Sequence, residues 1–115
     1  MQLMSYSHII DSRFHGGGYS TETSRKIFAD TARLSRWLWI EYQLAMAQSE
    51  LGIIPQEAAQ EIGRHLSIEN YELAEISEEI ERTNHSLVPL LRQLQKKCSR
   101  NLGQYVHYGA TTQDI

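Results

Sequence analysis

TETSRKIFADTARLSRWLWIEYQLAMAQSELG, residues Thr21 to Gly52, decides the fold. Ile27, Leu34, Leu38, Ala45 and Leu51 fall close to one face of a helix, with Phe28, Trp37, Leu44 and Ala47 beside them. Ser20 or Thr21 supplies an N-cap and Gly52 a stop. The pattern predicts one helix of about 30 residues, against ~10–14 for an ordinary globular helix. So broad an apolar stripe calls for partners on more than one side. Trp37 and Trp39 point in different directions, one toward a core and the other outward.

The rest of the chain reads in the same way. Ile53-Ile54-Pro55 is a short connector with Pro55 at a helix start, and a second helix runs to about His65 with Ala58, Ala59 and Ile62 inward. Ser67 is placed to cap a third helix over about 68–82, carrying Leu73, Ile76 and Ile80 inward and six Glu mostly outward. Thr83-Asn84-His85-Ser86 interrupts it. Pro89 suits the first turn of a fourth helix over about 87–102, whose stripe is Leu87, Leu90, Leu91 and Leu94. Lys96, Lys97 and Arg100 suit its C-terminal end and Gly103 its stop. No strand pattern is evident. The expectation is an all-α chain of about four helices with a long first helix. Residues 1–20 form an irregular N-terminal arm, punctuated by Gly16-Gly17-Gly18, and residues 21–115 form the helical domain.

Composition bounds the function. With 115 residues the chain makes one domain at most. A net charge of −3 and scattered Lys and Arg argue against a nucleic-acid partner. No apolar run approaches the ~18 residues of a membrane span, and residues 1–15 lack the pattern of a signal peptide. The single Cys98 excludes an internal disulfide, fits a reducing cytoplasm, and reads as a small, partly buried helix residue.

The polar residues gather in two turns, Thr83-Asn84-His85-Ser86 and His107 to Asp114. In the second, a Gly lets the backbone approach closely, and Thr111 and Thr112 each offer a hydroxyl and a backbone N–H, as a carboxylate or phosphate site needs. Helix N-capping explains the same threonines equally well, and His85 also reads as a capping or surface histidine. The two histidines lack the short spacing and the Cys or Glu partners of a metal site. A fourth helix of about 16 residues would hold the turns ~24 Å apart. They meet only if the chain folds back along it or another subunit intervenes. The sequence stops in mid-phrase after this cluster, as though its chemistry were just starting.

The segment Val106-His107-Tyr108-Gly109-Ala110-Thr111-Thr112-Gln113-Asp114-Ile115 resembles the first conserved region of the fumarase/aspartase superfamily, closest to the adenylosuccinate lyase and 3-carboxy-cis,cis-muconate cycloisomerase branch. Ile27-Phe28-Ala29-Asp30, Trp37-Leu38 with Glu41, Ala45, and Leu51-Gly52-Ile53-Ile54-Pro55 follow that branch's first helix and exit, and Thr83 to Leu90 follow its next conserved turn. The resemblance implies the N-terminal domain of an all-α lyase, truncated before a central helical bundle that assembles four subunits. It implies elimination from a succinyl-substituted dicarboxylate with release of fumarate, or lactone closure in the cycloisomerase, with no metal or organic cofactor. His85 then matches a catalytic histidine beside the general acid. Thr111 and Thr112 match the carboxylate-binding pair, His107 a substrate-placing histidine, and Asp114 a structural cap. Tyr19 and Ser20 match a phosphate-holding Arg-Tyr-Ser start. Gly18 stands where that start carries Arg, and Ser86 where adenylosuccinate lyases usually carry Asp. Leu87-Val88-Pro89-Leu90 is similar to the cycloisomerase side. The family's general acid and base lie downstream of these 115 residues, which implies that the chain alone is inactive.

Overall fold

The computed structural model describes residues 8–115. Among them are five α-helices and no strand: α1 (Glu22–Ile27), α2 (Asp30–Glu50), α3 (Gln56–Gly63), α4 (Leu73–Thr83) and α5 (Val88–Lys97), with single 3-10 turns between. The chain divides into two compact units, up to Arg33 and Leu34–Ile115.

In the first unit, α1 starts on a capping box. The Thr21 hydroxyl accepts from the Ser24 N–H at 3.0 Å, and the Ser24 hydroxyl accepts from the Thr21 N–H at 2.9 Å. The long helix expected from Thr21 is broken here. The Phe28 N–H closes on the Ser24 carbonyl and Ala29 leaves the helical path, so α1 ends at Ile27 and the 21-residue α2 begins at Asp30. Asp30 puts a carboxylate in the first turn of α2, where the dipole favours it. Ile27 and Phe28 are exposed rather than part of a continuous stripe.

The second unit holds the core. Leu38 and Ala45 of α2 meet Ala58, Ala59 and Ile62 of α3, Ile76 of α4, and Leu90, Leu91 and Leu94 of α5. Gly52 ends α2 as expected. At φ +74° it forms a Schellman close, with Ile53 N–H to the Gln48 carbonyl at 2.8 Å and Gly52 N–H to Ser49 at 3.1 Å. Leu51, at that close, is exposed. Trp37 packs against the core and Trp39 is exposed, as the helical spacing predicts.

The third expected helix is shorter. Ile68–Asn70 is a 3-10 turn, and α4 begins only at Leu73. The Ser67 hydroxyl donates to the Glu69 carboxylate and makes no cap. Gln93 of α5 serves the entry to α4 instead. Its amide brackets Glu72, accepting from its N–H at 2.9 Å and donating to its carbonyl at 3.0 Å. Lys97 lies over the Tyr71 ring at 4.8 Å and donates to the Asn70 carbonyl at 2.6 Å. Of the six Glu, Glu79 is half-buried and pairs with Arg92.

The fourth expected helix is shorter too. α5 stops at Lys97, and Cys98 turns extended at ψ 131° as its C-cap rather than lying in a helix interior. Arg100 and Asn101 take left-handed φ values of 53° and 62° and reverse the chain. The 3-10 turn Leu102–Tyr105 then packs on α3 and α5. Gly103 sits inside this turn and is no helix stop. It approaches Gln95 so closely that a Cβ would collide with the Gln95 carbonyl.

Candidate functional site

Two turns flank α5. At its start, Asn84 caps α4 in the left-handed region at φ 57°, its N–H on the Ile80 carbonyl at 2.7 Å. The Thr83 hydroxyl donates to the Glu79 carbonyl at 2.7 Å and accepts from the His85 N–H at 3.3 Å. These bonds fix the backbone and leave the His85 side chain exposed. Beyond α5, the reversed chain leads through buried Val106 into the second turn.

That second turn is held to α2 at two points. His107, left-handed at φ 59°, brings its Nδ1 to 2.6 Å from Oε1 of Glu41, whose side chain is 0% exposed. One α-helical repeat of two turns later, Gln48 donates to the Tyr108 carbonyl at 2.6 Å. Burial pushes the Glu41 carboxyl up, and the bond from His107 pulls against that shift. Glu41 Oε2 and His107 Nε2 are buried and meet no hydrogen-bond partner among the described residues. The loop closes on Thr111, whose Oγ1 accepts from the Gln113 N–H at 3.3 Å while its N–H donates to Asp114 Oδ2 at 2.8 Å. Asp114 therefore acts as a cap, as expected.

The two turns meet. Asn84, His85 and Ser86 share one cavity of about 210 Å³ with Thr112, Ile115, Leu87 and Trp37. Of the two ways for the turns to meet, the fold-back is the one seen: the chain runs back along a shortened α5. Thr111 is exposed beside this cavity, and His107 is tucked toward α2. Tyr19 and Ser20 belong to the first unit. There Tyr19 is exposed, and the Ser20 hydroxyl accepts from Arg25 Nε at 2.8 Å.

Two buried carboxylates carry more of this arrangement than the sequence suggested. Glu41 lies three residues after Leu38 and four before Ala45, an acid in the middle of the apolar stripe, and that mismatch was its signal. Glu61 of α3 is buried beside Ile62 and accepts from His65 Nε2 at 2.9 Å, Arg64 at 2.9 Å and the Ser99 N–H at 3.2 Å. With His65 first among the causes, these bonds hold its carboxyl down to about 2.

No protein-family model matches the chain. N-acetyl-S-(2-succino)cysteine lyase from Dickeya dadantii is 38% identical over 109 residues, 95% of this chain and 24% of that protein. Adenylosuccinate lyase from Methanocaldococcus jannaschii is 40% identical over 108 residues, 94% of this chain and 22% of that protein. The crystal structure of beta-carboxy-cis,cis-muconate cycloisomerase from Acinetobacter calcoaceticus superposes with a TM-score of 0.77 at 29% identity, over 82% of this chain and 23% of its own. A shared helical scaffold, together with similarity to part of two lyases, defines the class as a helical domain of the kind these enzymes carry. The chain belongs to the fumarase/aspartase superfamily and corresponds to its N-terminal region. It spans about a quarter of the length of the curated relatives it matches.

Proposed function

We propose that this chain is the N-terminal part of a cytoplasmic lyase, a homotetramer when full-length, that eliminates fumarate from a succinyl-substituted substrate in the manner of adenylosuccinate lyase. The observation that carries the reading is the cavity in which His85 and Ser86 face Thr112. In this scheme Thr111 and Thr112 donate to a substrate carboxylate. The Thr111 oxygen already accepts from Gln113, which leaves its own hydrogen to give. His107 helps place the substrate, and His85 stands beside the group that protonates the departing atom. Tyr19 and Ser20 take a substrate-binding role by their resemblance to the family's phosphate-holding Arg-Tyr-Ser start. The base takes a proton from the carbon next to one carboxylate, the bond from the neighbouring carbon to nitrogen breaks, and the electron pair forms the double bond of fumarate. The departing nitrogen receives a proton from the general acid. Both proton-transfer groups come from beyond these residues, so the 115-residue chain alone turns over nothing.

The test uses the full-length gene product, with fumarate release followed by absorbance. Thr111→Val with Thr112→Val keeps side-chain shape and removes the donors. Loss of one such donor costs roughly 10²–10³ in turnover, so the double variant falls by at least about 10². Normal turnover in that variant, or fumarate release by the isolated chain above a blank, sinks the assignment.

Two observations favour neighbouring substrates. Gly18 supplies no phosphate-binding charge, and N-acetyl-S-(2-succino)cysteine lyase aligns over 95% of the chain. A succinyl thioether therefore belongs in the same assay. The fold match to the cycloisomerase adds a carboxymuconate, with lactone formation as its readout. If none is consumed, a non-catalytic interaction module is the remaining reading. It would dock through exposed apolar side chains such as Trp39, Leu51 and Ile53.

A further inference from the structure

We propose that Glu41 is a positioning residue for His107: its buried carboxylate accepts a hydrogen bond from Nδ1–H and leaves Nε2 as the ring nitrogen without a partner among the described residues. Glu41 occupies an inward position of α2, between Leu38 and Ala45, where an aliphatic side chain would pack without desolvating a charge. Among the described residues the partner of its carboxylate is His107, with Nδ1 at 2.6 Å from Oε1, and Oε2 meets none. In the proposed pair Glu41 is ionised and only accepts, and the ring donates from Nδ1. That donation fixes both the tautomer and the plane of the imidazole.

Simple anchoring of the loop would not need this pair. Gln48 already holds the Tyr108 carbonyl from the same face of α2, and the Ala110 N–H closes on the His107 carbonyl at 3.2 Å. The pair's distinctive product is a histidine whose second nitrogen is buried, oriented and unpartnered among the described residues, at the root of the loop that carries Thr111 and Thr112. That Nε2 meets a substrate oxygen rests on the lyase reading, whereas the control of the ring by Glu41 does not.

Two measurements separate these parts. Long-range proton–nitrogen spectra of the histidine rings, with His107 assigned by His107→Gln, report which nitrogen carries the proton. The wild type should show it on Nδ1. Glu41→Gln is nearly isosteric but can present either its carbonyl or its amide, so the proton should spread over both nitrogens. Glu41→Leu should lose the Nδ1 form. Loss of packing alone weakens or broadens this signal, whereas loss of the acceptor moves the proton from Nδ1 to Nε2. A wild-type ring protonated only on Nε2, or a ring unchanged in Glu41→Leu, overturns the proposal, and the wild-type spectrum decides even if a variant does not fold. In the full-length enzyme, Glu41→Gln should raise KM by about tenfold or more. An unchanged KM and kcat with an altered ring signal overturns the ligand-facing role. If the wild type consumes no succinyl substrate, the lyase reading fails, and the control of the ring by Glu41 stands or falls on the spectra.

Discussion

Gly103→Ala should be among the most damaging single-methyl additions available in this chain. Gly103 is buried in the Leu102–Tyr105 turn, and a Cβ there would overlap the Gln95 carbonyl oxygen while lying 3.1 Å from the Gln95 carbonyl carbon and Cα. The opposing atoms are backbone in the last turn of α5, so no rotamer change relieves the contact, and the turn and helix must part. Overpacking costs ~1–3 kcal/mol, and a rigid opponent places this case near the top, about 3 kcal/mol. With a urea slope of about 2 kcal/mol per M for a chain of this size, the unfolding midpoint drops by roughly 1.5 M. Gly17→Ala is the control, since a Cβ there meets nothing within 4 Å. It should stay within about 0.5 kcal/mol of wild type. Urea unfolding followed by far-UV circular dichroism reads both. Equal midpoints for the two variants would refute the close-approach argument. The consequence for the site can be checked in the same samples. Gly103 lies four residues before His107, so the Gly103→Ala chain should also lose the ordered His107 ring signal.

Two further predictions concern ionisation. Glu61 is held at about 2 against an ordinary 4.5, so below pH 4.5 the unfolded chain binds a proton that the folded chain refuses. Its contribution is complete above pH 4.5 and lost as pH falls toward 2. Glu61→Gln should flatten the fall in the urea midpoint across that window, and a difference curve with no slope there would discard the role of Glu61. Burial pushes the half-buried Cys98 thiol up to about 11, with the Glu61 charge adding to the shift. At pH 8 only roughly one thiol in a thousand is then ionised. Iodoacetamide should label Cys98 slowly in the folded chain and at an ordinary rate in urea, and equal rates in both would contradict the assignment.

The sequence was most legible where one local signal had no competitor. Gly52 predicted the end of α2, Pro89 suited the first turn of α5, and the helical period set one of Trp37 and Trp39 toward the core and the other outward. It was least legible where the backbone departs from the default without a glycine or proline to mark it. Phe28 and Ala29 break the long helix between good helix formers, and Ile27 then lies off the stripe it was expected to join. Arg100 and Asn101 adopt left-handed angles that their residue types only weakly favour. Cys98 ends the last helix early and those two residues reverse the chain, so the fold-back named as one way for the turns to meet is the one that occurs. The family resemblance supplied what local rules could not. It assigned roles to His85 and Thr112, both of which line one cavity in the fold, and those roles rest on the proposed assay.

Glu61 links the acid sensitivity of the fold to the integrity of that cavity. α5 has ten residues and is about 15 Å long, and the turns at its two ends share a cavity only because residues 98–106 return along it. The return starts at Ser99, whose N–H is bound by Glu61 from α3, and it is seated by Leu102, Gly103 and Val106. An apolar seat fixes where the chain lies, but the left-handed pair Arg100 and Asn101 must also be kept reversed against its own preference. The ionised Glu61 is the charged hydrogen-bond acceptor at that point. Protonation removes the acceptor strength that holds Ser99, Arg64 and His65 together. The reversal should therefore loosen on the same acid limb that Glu61 imposes on stability. In the wild type, the His107 ring signal should be at full strength at pH 6. In Glu61→Gln it should be weak at pH 6. A His107 signal of full strength in Glu61→Gln would show that the apolar seat alone holds the return, and would separate the two carboxylates into unrelated roles.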